Sequence, residues 1–108
     1  MQNPGARPQI VVFGDLERAL YRLGNWHAIE AVADIRFYHQ HLEGADLLAA
    51  AEQADALVLV RDRTPLDAAT IARLPKLRFV VFTGSRNATL DLAALAERRI
   101  PVSHTDWG

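Results

Sequence analysis

The chain has no cysteine, a single lysine at Lys76, and few aromatics, 7% of its 108 residues. Without cysteine there is no disulfide framework, no thiolate nucleophile and no Cys-ligated zinc or iron–sulfur site. That fits a reducing compartment, and the expected location is the cytoplasm. Neither charge is in excess: 12 basic and 13 acidic residues leave a net charge of −1. Phosphate-backbone binding needs a basic surplus or a block of like charge, so nucleic acid is not an expected partner. Long apolar runs are missing too. Stretches such as Ala56 to Val60 and Phe79 to Phe82 fall far short of the roughly 20 residues that cross a bilayer. The start, MQNPGARPQI, has no apolar h-region of a secretory signal. No membrane association is expected.

What is there is an ordinary globular balance, half apolar and 23% charged, in a length that suits one domain with one core. Residues 1–8 carry two prolines and a glycine and read as a flexible lead-in. From residue 9 onward a pattern repeats. Ile10–Phe13, Ile35–Tyr38, Leu57–Val60, Phe79–Phe82 and Pro101–Ser103 are short apolar runs of the kind that form parallel strands covered on both faces. Between them lie stretches with helical spacing: Leu16, Ala19, Leu20 and Leu23; then Leu47, Leu48 and Ala51; then Ile71 and Leu74; then Leu92, Leu95 and Ala96. Asp15, Asp67 and Asp91 stand where N-caps belong, and Gly24 and Pro75 where helices stop.

Alternation of this kind predicts right-handed βαβ crossovers and an α/β fold: a flavodoxin-like three-layer α/β/α sandwich around a parallel five-stranded sheet of order 2-1-3-4-5. Ligands of such sheets bind beyond the carboxyl ends of the strands. Two segments there carry chemistry. Arg61-Asp62-Arg63-Thr64 follows strand three, and an arginine fork suits a carboxylate or phosphate; its bland alternative is a solvated turn of mutually paired charges. Thr83-Gly84-Ser85-Arg86-Asn87 follows strand four, where a glycine lets backbone N–H groups close on an anion. A turn needing positive φ at Gly84 explains that glycine equally well. His39 and His41 would share one face of an extended segment, but no third ligand accompanies them, so surface histidines are the better reading. Trp26 and Trp107 read as packing residues, because neither has a basic, aromatic neighbourhood.

Read together, ADALVLVRDRTPL, LPKLRFVVFTGSRNATLDL and AERRIPVSHT resemble, in order and spacing, the amino-terminal half of D-isomer-specific 2-hydroxyacid dehydrogenases, the group that includes phosphoglycerate dehydrogenases. The resemblance covers residues 55–108; residues 9–54 agree only in general βα style. It implies that residues 9–108 are the substrate-binding, or catalytic, domain, which closes against a Rossmann domain carrying NAD or NADP. It also implies that Arg61 and Asp62, with Gly84, Ser85 and Arg86, face the carboxylate of a 2-hydroxy or 2-oxo acid. The family's GxGxxG loop and its catalytic arginine, glutamate and histidine would lie past Gly108. The chain is therefore expected to be a domain of a longer enzyme, inactive alone, with no catalytic, cofactor-binding or metal residue of its own. The full-length enzyme is expected to be a homodimer.

Three positions depart from the family pattern. Asp62 stands where serine is common and would repel a carboxylate unless Arg61 or Arg63 neutralises it. Arg86 replaces a common second glycine. Arg99 occupies a helix end where glycine is usual, which predicts backbone strain. A reading from another class also exists: a stand-alone receiver-type signalling module, with Asp15, Asp62 and Thr83 after strands one, three and four. It lacks the paired acids and the final-loop lysine that balance a metal and a phosphoryl group.

Overall fold

The computed structural model describes residues 7–14, 30–60, 64–83 and 90–105. Five strands, β1 Gln9–Phe13, β2 Asp34–Phe37, β3 Ala56–Leu59, β4 Phe79–Thr83 and β5 Val102–Thr105, form one sheet of order β2-β1-β3-β4-β5. Every pairing is parallel. This is the expected topology, with strand ends within two residues of those read from the sequence. Three helices are described: α1 Gly44–Ala51, α2 Ala68–Ala72 and α3 Leu92–Glu97.

Side chains on one face of the sheet fall in register. Val11, Leu57 and Val80 form one row across β1, β3 and β4, and Phe13, Leu59 and Phe82 the next. Both rows join the same core as Leu47 and Ala51 of α1, Ile71 of α2 and Leu95 of α3. The three helices therefore cover one face, as right-handed crossovers in a single direction require. Val12, which points to the opposite face, is also fully buried, as in a sheet covered on both sides. The expected first helix, with its Asp15 cap and Gly24 stop, lies outside the described residues.

The helices are short, and the sheet holds them more than their own propensity does. Each of the last two starts on its predicted cap: Asp67 Oδ1 accepts from the Thr70 N–H at 2.9 Å and Asp91 Oδ1 from the Ala94 N–H at 3.0 Å. One expectation needs correction. The apolar stripe of α3 was expected along Leu92, Leu95 and Ala96, but Leu92 is 54% exposed and Ala96 is also at the surface. The inward stripe runs along Asp91, Ala94 and Leu95, one residue earlier. The cause is the cap: Leu90 is pinned in the core just ahead of Asp91, and this fixes the phase of the helix.

The lead-in also ends sooner than its composition suggests. Residues 1–6 lie outside the described residues, but Arg7 is fastened down. Its guanidinium donates to Asp34 Oδ1 at 2.9 Å and to the carbonyls of Glu30, Ala31 and Ala33. Among the described residues, no helix is long and apolar enough to cross a membrane.

Candidate functional site

In a parallel sheet all carboxyl ends lie on one rim, so the loops after β1, β3 and β4 start side by side. The β1 end is continued by two ladder bonds: the Val60 N–H to the Phe13 carbonyl and the Tyr38 N–H to the Val12 carbonyl, each 2.9 Å. Gly14 follows at φ 82°, buried at the rim. An L-residue there would meet the left-handed penalty of about 1–2 kcal/mol, so the sharp exit from β1 requires glycine.

The two segments singled out by the sequence leave from adjacent, paired strands. Leu59 pairs with Phe82 in the β3–β4 ladder, and Val60 and Thr83 follow. Arg61, Asp62 and Arg63 lie outside the described residues, as do Gly84, Ser85, Arg86 and Asn87. Thr64 is 3% exposed and Thr83 is 9% exposed, and these are the two buried polar side chains among the described residues. Neither stands free of a partner. Beyond the segments the chain comes together again. Leu66 and Leu90 form an isolated parallel bridge, in which the Asp91 N–H donates to the Leu66 carbonyl at 3.1 Å.

Each segment is thus bounded at both ends by pairing to the other. Just past the bridge, each connection enters a helix through a capped aspartate. Asp67 has its carboxyl held below the usual range, chiefly by the Thr70 backbone N–H and then by the Thr70 side chain. It therefore stays ionised at the amino end of α2, where a negative charge is favoured. The bridge escaped the sequence reading. Its trace is a repeat, Leu66-Asp67-Ala68-Ala69 against Leu90-Asp91-Leu92-Ala93, which as a pattern shows only two helix starts.

Among the described residues, His39 and His41 keep separate partners. His39 stacks along Phe37 with ring centroids 6.1 Å apart, whereas His41 Nε2 sits 3.0 Å from Glu43 Oε2. Among the described residues no three His, Cys, Asp or Glu side chains are grouped to hold a metal. His104 lies on β5, stacked on Phe82 at 5.4 Å. His27, Trp26 and Trp107 lie outside the described residues.

Comparison with known proteins adds the family. A sequence model of the "D-isomer specific 2-hydroxyacid dehydrogenase, catalytic domain" matches residues 10–107. Among solved structures, a protein from Ralstonia solanacearum assigned as a D-3-phosphoglycerate dehydrogenase oxidoreductase superposes with a TM-score of 0.82 at 28% identity, over 93% of this chain and 30% of its own. A phosphoglycerate oxidoreductase from Vibrio cholerae O395 gives 0.79 at 20% identity, over 95% of this chain and 32% of its own. The NAD+-bound 3-phosphoglycerate dehydrogenase of Entamoeba histolytica gives 0.70 at 18% identity, over 92% and 33%. The last two show the fold alone. The chain spans about a third of the length of each of these proteins. No curated protein sequence matches it.

Proposed function

Because this chain belongs to the D-isomer specific 2-hydroxyacid dehydrogenase family, as its catalytic domain, we propose that it is the substrate-binding part of an oxidoreductase that acts on the CH–OH group of D-2-hydroxy acids or reduces the matching 2-oxo acids. The observation that carries the reading is the shared rim. The segments holding Arg61 and Gly84 leave neighbouring strands and rejoin at the Leu66–Leu90 bridge. In this reading the Arg61 guanidinium binds the substrate carboxylate, with the N–H groups of Gly84 and Ser85 as further donors and Arg86 adding positive charge. In the same reading Asp62 also faces the carboxylate, which requires Arg61 or Arg63 to neutralise its charge. Holding the acid in one pose is itself catalytic, because it turns hydride transfer into an effectively unimolecular event.

The hydride acceptor or donor is a nicotinamide dinucleotide, NAD or NADP. This chain does not fit it. None of its six glycines stands two residues from another, so it has no Gly-x-Gly turn that brings backbone up to a pyrophosphate. The reading therefore assigns the dinucleotide and the acid–base residues to a further, Rossmann-type domain, and treats this chain alone as inactive. A cytoplasmic location and a homodimeric full-length enzyme belong to the same proposal.

The test is the Arg61→Ala variant of the longer enzyme that contains this domain. A lost charge-assisted contact raises KM for the hydroxy acid about tenfold to a hundredfold, with KM for the dinucleotide unchanged. An unchanged substrate KM removes Arg61 from the site.

A further inference from the structure

At the amino-terminal ends of β4 and β5, away from the strand ends that lead into the proposed site, two turns bring together charges that lie far apart in the sequence. In the turn before β4, Leu74 and Leu77 are buried, which leaves Arg73, Lys76 and Arg78 around them exposed. In the turn before β5, Ile100 is buried, and Arg98 and Arg99 are exposed. Arg98 Nη1 donates to the Ile71 carbonyl at 2.6 Å and the Val80 N–H to the Pro101 carbonyl at 3.1 Å, so the turns sit side by side. This one corner holds five of the chain's 12 basic residues, although no block of like charge occurs in the sequence.

Counter-charge is short there. Of three nearby carboxylates, Asp55 already receives the Gln9 N–H at 2.8 Å and lies 3.7 Å from Arg78. Glu52, which shares a groove with Arg73, and Glu97, next to Arg98 in the chain, form no ion pair among the described residues. Arg73 and Arg99 have no side-chain partner among the described residues, and Lys76 turns to a neutral one, Gln53 Oε1, at 2.7 Å. Phe79, 38% exposed, opens β4 at the same corner, beside the exposed Pro101.

We propose that this corner docks an acidic peptide segment of a partner protein, with an apolar side chain set among its carboxylates. Four of the five cations are arginines, whose planar fork takes a carboxylate through two parallel bonds, and arginine clusters are a recurring way of reading acidic motifs. The Phe79 ring supplies the apolar contact. Five cations against three carboxylates leave a surplus of two, too small for a phosphate backbone, which is held by many contacts at once. The corner lies at the opposite ends of the strands from the anion site proposed above, and the docking stands whether or not that reading holds.

The probe is a peptide of one phenylalanine flanked on each side by three glutamates, added to the whole chain at about 0.15 M salt, where exposed charges are screened beyond about 8 Å. Binding tighter than about 1 mM is expected, with amide shifts confined to residues 73–79 and 98–102. The same peptide with glycine in place of phenylalanine should bind about threefold more weakly, for want of the contact to Phe79. The Arg73→Glu/Arg99→Glu double variant should weaken binding about tenfold or more, because like charges then face the peptide. Both side chains are exposed, and a melting curve checks that the variant folds; if it does not, the shift map of the unaltered chain decides. Absence of binding, shifts centred elsewhere, or equal affinity for the two peptides overturns the proposal. Tighter binding of an oligothymidylate of the same charge assigns the corner to nucleic acid and overturns it too. So does self-association of the chain that the double variant abolishes, which gives the corner to a second copy.

Discussion

Arg99 holds φ 58°, in the left-handed region that costs an L-residue about 1–2 kcal/mol. It does so to end α3 in a Schellman turn. The Arg99 N–H bonds to the Ala96 carbonyl at 3.0 Å and the Ile100 N–H to the Leu95 carbonyl at 3.0 Å. Leu95 and Ile100 are both in the core, which supplies the hydrophobic contact of that motif. The strain expected from an arginine at this position is thus present, and the geometry over-determines it. Replacing Arg99 with glycine should stabilise the domain by about 0.5–1 kcal/mol, the strain relieved less the extra freedom glycine gives the unfolded chain. Thermal melting should rise by about 2–8 °C. A fall in melting temperature would show that the arginine side chain contributes more than its backbone costs.

At the scale of elements, the β1–β2 edge is held by side chains at its amino end as well as by its ladder. Asp34 on β2 receives Gln9 Nε2 at 2.8 Å and Arg7 Nε at 2.9 Å. These contacts, Gln9 first and Arg7 next, hold its carboxyl below the usual aspartate value. A folded value below the unfolded one means that this stabilisation is present above about pH 4. It is lost as the pH falls through the folded value. Asp67 has the same sign through its cap. The urea midpoint of the chain should therefore drop between pH 5 and pH 3, and Asp34→Asn should flatten that drop; parallel acid profiles would remove Asp34 from the account. On the β1–β3 side, the Gln9 N–H reaches Asp55 Oδ2 at 2.8 Å and the Asp55 N–H reaches the Gln9 carbonyl at 2.8 Å. The amino-terminal rim is in this way pinned by polar contacts.

For the molecule as a whole, one core has to serve every element. The radius of gyration, 13.3 Å, is that of a single domain of about 100 residues. Leu57 lies at its centre, fully buried on the strand between β1 and β4. Leu57→Ala should cost about 2–5 kcal/mol, a large share of the 5–15 kcal/mol that a domain usually has. Urea unfolding checks this, and a loss below about 1 kcal/mol would mean that the sheet and helices do not share one core.

The sequence by itself determined the strands, the capped helices and their order in the sheet. Short buried runs and Asp caps are local signals, and right-handed crossovers leave few topologies for them. The motifs that resemble the family follow β3 and β4 in the sequence, and the site residues proposed on them lie outside the described residues. Only the tertiary structure decided three things: the inward phase of α3, the anchoring of Arg7, and the pairing of Leu66 with Leu90. Each joins residues far apart in the chain or depends on what a neighbour buries. Arg7 meets Asp34 27 residues away, and Leu66 meets Leu90 across helix α2, strand β4 and their connections. No local pattern encodes such contacts; they exist because the sheet brings their ends together.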